Sequence, residues 1–191
     1  MALLMQSSQN LWPILGLKLR MLLVFLLPLI CSATHAYAEN IELEYRVKSA
    51  FLYNFTKFIE WPAPAVTRSD FVMCVAGNSQ FHANLMDTIG NKQNHNQQII
   101  FNFIRHPSEA RNCQLVFLDF ADRESLRDWV SSMAELAVLT VSDKQEFINM
   151  GGMIQFVIVD GKIRFDINQS AAKSSSIKVS SKLLRLARNV N

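Results

Sequence analysis

The sequence predicts an α/β fold: a central, mostly parallel mixed sheet with helices on both faces, finished by a C-terminal hairpin and helix. Two patterns carry the prediction. Short apolar runs alternate with segments whose apolar residues recur every three or four positions, as strands feeding helices do. Near the C terminus, two alternating runs flank Asp160-Gly161, a favoured two-residue turn that would add an antiparallel edge. No internal repeat or linker divides the chain.

The elements follow in order. Val47, Phe51, Phe55 and Phe58 recur at four, four and three and predict a helix over 42–59. Trp61-Pro62 stops it, because the residue before proline avoids helical angles. Residues 63–70 then form a loop. Phe71 to Gly77 reads as a buried strand, and Phe81, Leu85, Met86 and Ile89 mark a helix closed by Gly90. After an amide-rich connection, Ile99 to Ile104 and Gln114 to Leu118 are two further strands. Asp122 caps the next helix, whose apolar face is Leu126, Trp129, Val130 and Met133. Ala137 to Val141 is a strand, and Ser142 caps a short helix anchored by Phe147. Gly151-Gly152 opens the hairpin of Met153–Val159 and Lys162–Ile167. A last helix begins near Ala171 or Ser180 and ends at Ala187, with Leu183, Leu184 and Ala187 inward.

The N terminus predicts export. Lys18 and Arg20 precede an apolar run from Met21 to Cys31, and Ala36-Tyr37-Ala38 offers small residues for cleavage after Ala38. The run is about eleven residues, too short to span a core of roughly 30 Å. Ile30 before Cys31 does not suit a lipoprotein cleavage site. Residues 1–38 are therefore read as a signal peptide and 39–191 as one soluble domain of 153 residues in an oxidising exported compartment. With Lys18 and Arg20 gone, 17 basic residues face 16 acidic ones. That near-neutral balance, without a basic block, argues against nucleic acid as a partner.

One family pattern runs through this domain. Its pieces are Lys48-Ser-Ala-Phe-Leu-Tyr-Asn-Phe-Thr-Lys-Phe-Ile-Glu-Trp-Pro62, Cys74-Val-Ala-Gly77, Cys113-Gln-Leu-Val-Phe117, Gly151-Gly-Met-Ile154, Phe165-Asp-Ile-Asn168 and Ser180-Ser-Lys-Leu-Leu-Arg-Leu-Ala187. In this the chain resembles the YfiR family of periplasmic regulators. The resemblance implies a repressor that binds the periplasmic sensor region of an inner-membrane diguanylate cyclase and so controls cyclic di-GMP and biofilm growth. It also implies a homodimer, and a disulfide at Cys74 and Cys113; the family's second bridge has no counterpart here. Related domains are fused to histidine kinases. The alternative is thus a small-molecule-binding sensor acting on another membrane receptor of that kind.

The cysteines also have a reading of their own. Once Cys31 leaves with the signal, Cys74 and Cys113 are the two that remain. A structural bridge across neighbouring strands is the main reading, with a reactive thiol pair or two buried thiols as the alternatives.

No catalytic constellation is legible. His82, His95 and His106 show no metal-ligand spacing, and no Gly-x-Ser-x-Gly elbow is present. The chain is read as a non-enzyme with neither cofactor nor metal. The candidate interaction surface joins three features. Glu60 and Trp61 end the first helix, where Trp61 either closes the core or helps form a recognition patch. Asp166 and Asn168 share a strand face, either as a solvated edge and local caps for the closing helix or as a polar rim for a ligand or partner. Lys178, Lys182 and Arg185, at spacings of four and three, form a basic stripe on the closing helix, either a solvated outer face or a patch for an acidic partner or an anionic membrane. A ligand crevice is expected where Gly77, Asp119 and Ser142 follow their strands.

Overall fold

The structure is a computed structural model that describes residues 41–63, 69–94 and 96–191. The signal segment, part of the loop after Pro62 and His95 lie outside the described residues. The chain divides into two units, 1–43 and 44–191, and the second carries the fold.

The order is α1 (41–56), β1 (Ile59–Glu60), β2 (Asp70–Ala76), α2 (Ser79–Ile89), β3 (Gln93–Asn94), β4 (Gln97–Phe103), a 3-10 helix (Pro107–Asn112) and β5 (Leu115–Leu118). There follow α3 (Arg123–Met133), β6 (Leu139–Ser142), a second 3-10 helix (Ile148–Met150), β7 (Ile154–Val159), β8 (Lys162–Ile167), α4 (Gln169–Ser174), β9 (Lys178–Val179) and α5 (Ser181–Leu186). Seven strands form one sheet in the order β3-β4-β2-β5-β6-β7-β8. The five central strands are parallel, while β3 and β8 are antiparallel edges. The predicted mixed α/β sheet is thus the observed one.

Strand alternation sorts the core into two layers. Met73, Val75, Leu115, Phe117, Leu139 and Val141 face α1 and α2, meeting Leu52, Phe55, Phe81, Leu85 and Ile89. Cys74, Ala76, Val116 and Leu118 face the other way, against Leu126, Trp129, Val130 and Met133 of α3 and Ala110 of the first 3-10 helix. Phe55 extends the α1-side layer through Phe156 and Phe165, with ring centroids 5.8 and 5.0 Å away.

Local chemistry sets several boundaries. Asp122 caps α3 as expected, its Oδ1 accepting from Ser125 N at 2.7 Å. Asp160 and Gly161 have φ of 49° and 68°, the positive pair that a tight hairpin needs. Gly77 has φ +95°, and a Cβ there would be driven into the Asp119 carbonyl oxygen. Replacing Gly77 with alanine should therefore cost about 2–3 kcal/mol, from backbone strain and overpacking together. Urea denaturation checks this, and a change within error would refute it.

The structure corrects three expectations and decides a fourth. First, α1 ends at Thr56 and not Ile59; Ile59 and Glu60 instead pair antiparallel with Val179 and Lys178. Second, no α-helix follows Ser142: Glu146 has φ 61°, which a right-handed helix cannot contain, and only a 3-10 turn forms. Third, Met86 is exposed, so the buried face of α2 is Phe81, Leu85 and Ile89. Fourth, of the two starts expected for the closing helix, Ser180 is the one found, and the segment around Ala171 is a separate short helix. Ser176 at φ 59° and the extended backbone of Ser180 separate the two, and Ser180 Oγ caps α5 by accepting from Leu183 N at 3.2 Å.

Residues 188–191 then run along the outer edge of β8. Arg188 N donates to Phe165 O at 2.8 Å, Ile167 N to Asn189 O at 2.9 Å, and Asn191 N to Ile167 O at 2.9 Å. This covers part of an otherwise open sheet edge.

Candidate functional site

Five charged side chains meet where α1 passes the carboxyl ends of β5 and β6. Lys48 lies one turn from Glu44 and its side chain is only 3% exposed; its ammonium donates to Glu44 Oε1 and Asp143 Oδ2. Lys144 pairs with Asp119 Oδ1 at 2.6 Å and stands 3.5 Å from Asp143 Oδ1. The sequence builds this locally, because Asp119 directly follows β5 and Asp143-Lys144 directly follow β6. Ser142 fixes the turn: its Oγ donates to Leu118 O at 2.6 Å and accepts from Lys144 N at 3.2 Å.

Burial alone would lower the pKa of Lys48, but Asp143 and then Glu44 outweigh it and hold the ammonium above its usual value. Lys144 behaves likewise: burial lowers it, and Asp119 and Asp143 raise it further. Both amines are therefore protonated at neutral pH and unsuited to act as bases or nucleophiles. The cluster is an ionic clamp between α1 and the sheet.

At the carboxyl ends of β5 and β6, where a crevice is expected beside Gly77, Asp119 and Ser142, a hollow of about 330 Å³ is lined by Phe120, Asp122, Lys144 and Glu146 among others. Gly77 packs on the Asp119 backbone, and Ser142 is spent on Leu118 and Lys144. Tyr45 of α1 stands over this end, its hydroxyl accepting from Asn78 Nδ2 at 3.1 Å and its ring 5.3 Å from Phe81. Two further cavities are larger. A cavity of about 430 Å³ is lined by Lys48, Asp143, Phe156, Ile158, Ile163 and Arg188 among others. Another, of about 410 Å³, lies near Arg111, Gln114 and Glu135 at the opposite end of the strands.

Of the sequence-predicted residues, Cys74 and Cys113 form a disulfide with a Cα–Cα distance of 6.0 Å. Cys113 caps the first 3-10 helix and does not begin β5. Trp61 is engaged in the core: Nε1 donates to Gln114 O at 2.8 Å, and the ring meets Phe71 edge-on at 5.1 Å. Glu60 is exposed and sits opposite Lys178 across β1–β9. The basic stripe changes form, since Lys178 is on β9 while Lys182 and Arg185 are on α5. The polar rim is engaged internally. Asp166 is 8% exposed and is gripped by both Arg188 Nε, at 2.8 Å, and Arg188 Nη2. Asn168 Oδ1 caps α4 by accepting from Ala171 N at 2.9 Å, and its Nδ2 donates to Ile148 O at 3.2 Å.

The ionic clamp was not foreseen. Glu44 and Lys48 at i and i+4 were a legible pair, but Asp143 lies 95 positions away and only the fold brings it close. His82 packs edge-on to Phe103 at 6.0 Å, and His106 joins the capping of the first 3-10 helix. Among the described residues no group of three His, Cys, Asp or Glu could hold a metal, and no helix is long and apolar enough to cross a membrane.

Paired buried charges, a disulfide-stapled sheet and side cavities characterise this α/β domain. The chain belongs to the YfiR/HmsC-like family, whose model matches residues 45–188. That family comprises periplasmic regulators of cyclic di-GMP signalling that act with a membrane signalling protein. Among solved structures, the chain is similar to a conserved domain protein from Vibrio cholerae, with 10% identity and a TM-score of 0.53, covering 75% of this chain and 60% of that one. It is also similar to an ABC domain from Streptococcus pneumoniae solved in complex with L-Trp, with 12% identity and a TM-score of 0.44, covering 66% and 57%. The chain thus spans about 60% of the length of the first solved chain, and at such identity the likeness concerns the fold alone.

Proposed function

We propose that residues 1–38 direct export, and that the domain after Ala38 binds and represses the periplasmic sensor region of an inner-membrane diguanylate cyclase. The observation that carries this is the family match over nearly the whole domain. The mechanism is a population shift: the regulator binds the partner's inactive form more tightly, and about 1.4 kcal/mol of difference gives tenfold repression. A homodimer is part of the proposal. The basic residues Lys178, Lys182 and Arg185, with exposed Glu60 beside them, are the side turned toward the membrane assembly.

The test is direct. The protein isolated from the periplasm should co-purify with the sensor region of a diguanylate cyclase encoded nearby, and its deletion should raise cyclic di-GMP. Failure to bind, with cyclic di-GMP unchanged, would refute the reading.

The cavity beside Lys48 supports a second reading, a small-molecule sensor acting on a receptor such as a histidine kinase. Apolar Phe156, Ile158 and Ile163 line one part of it, and Lys48, Asp143 and Arg188 another, a mixture suited to an amphipathic ligand. A ligand-induced rise in melting temperature without any protein partner would favour it.

A further inference from the structure

We propose that the end of α1, together with Lys92, β9 and α5, is a docking face for anionic phospholipid headgroups of the membrane that carries the partner. It rests on the regulatory reading above and adds a second contact to it. This face concentrates cations without ion-pair partners on aromatic rings. The Lys57 ammonium lies 4.2 Å from the Tyr53 ring centroid, and that of Lys92 lies 4.9 Å from the same ring. Next along the chain, the Phe58 ring carries the Lys182 ammonium at 5.3 Å. Ser180 N donates to Phe58 O at 2.9 Å, and β1 pairs with β9, so these segments are one connected surface.

The charge there is lopsided. Lys57, Lys92, Lys178, Lys182 and Arg185 are all exposed, and Glu60 is the one acid on the segments 53–60, 91–94 and 178–187. None of the five forms an ion pair among the described residues, whereas Lys48, Arg123, Lys144 and Arg188 are all paired. In a domain whose charges otherwise nearly cancel, this end is strongly positive.

Two features favour a lipid surface over a protein groove. None of the five cations lines either of the two larger cavities described above. Half-buried Tyr53 and Phe58 hold the ammonium groups outward on amphipathic supports, the arrangement that suits a headgroup layer. A fluid anionic surface needs charge density and not shape complementarity.

The experiment is vesicle co-sedimentation with the protein purified from the periplasm, without its partner. Phosphatidylglycerol-containing vesicles should bind it at low salt, and pure phosphatidylcholine vesicles should not. Lys57→Gln, Lys92→Gln and Lys182→Gln combined should weaken binding more than about tenfold, since each basic residue near an anionic surface contributes roughly fivefold. The melting temperature should stay put, because the rings remain. No binding to anionic vesicles, equal binding to neutral ones, or an unchanged triple variant would each overturn the proposal. The triple variant losing the isolated sensor domain, with no vesicle binding by the parent, would assign the face to a protein and also overturn it. Vesicle binding absent with the sensor domain still bound removes the docking face alone. Vesicle binding without any sensor-domain binding removes the repressor reading and keeps the face.

Discussion

Replacing Lys48 with methionine is expected to destabilise the domain by about 3 kcal/mol, as removal of one partner from a buried ion pair does. The side chain is nearly isosteric, so packing is kept while the ammonium is lost. Asp143, 20% exposed, then loses its closest cation and keeps only Lys144 at 3.5 Å. Glu44 is 36% exposed and can turn to water, which holds the cost at the low end of the range. Adding Asp143→Asn should recover most of the loss, because no unpaired charge then remains. Urea denaturation of both variants decides the matter, and a single variant within 1 kcal/mol of the parent (about a fivefold change) would refute the clamp.

The pH dependence follows from the same contacts. The Lys48 pKa is raised on folding, so its contribution is complete below the unfolded value and is lost as pH rises through the folded one. The difference in stability between parent and Lys48→Met should therefore stay constant across neutral pH. It should shrink only above the ordinary lysine value of 10.5.

Removing the disulfide should have an effect of similar size. The bridge closes a loop with a separation of 39 residues, for which chain entropy gives about 4 kcal/mol. Cys74 and Cys113 are both buried against the α3 side of the sheet, so alanine at both positions also loses packing. The double variant should lose about 2–5 kcal/mol, and reductant should lower the parent toward the same level. The parent, unfolded without reductant, should show no free thiol; two per chain would refute the staple.

Elements whose signal is local were legible in the sequence. The period of α3, the Asp122 cap and the Asp160-Gly161 turn each need only a few neighbouring residues, and each is found. The parallel sheet followed from alternation alone. The errors arise where tertiary contacts decide. Ile59 and Glu60 leave the helix because Val179 and Lys178 offer strand partners, which no helical period records. The break before the closing helix falls at a positive φ on Ser176, a conformation that Ser does not advertise. The candidate surface was legible only as charge. Whether Asp166 is a free rim or is gripped by Arg188 depends on where the tail lies. The lysines on Tyr53 and Phe58 come from separate segments and share no sequence spacing.

The tail along β8 and the pairing of β1 with β9 also set a timetable. Residues 178–191 supply the partner strand for β1 and the outer lining of the last hairpin. A chain still emerging from a ribosome or a translocation pore does not yet have them. β1 and β9 must close a loop of more than a hundred residues, which is a slow step. Those contacts therefore form only once residues 178–191 have been made.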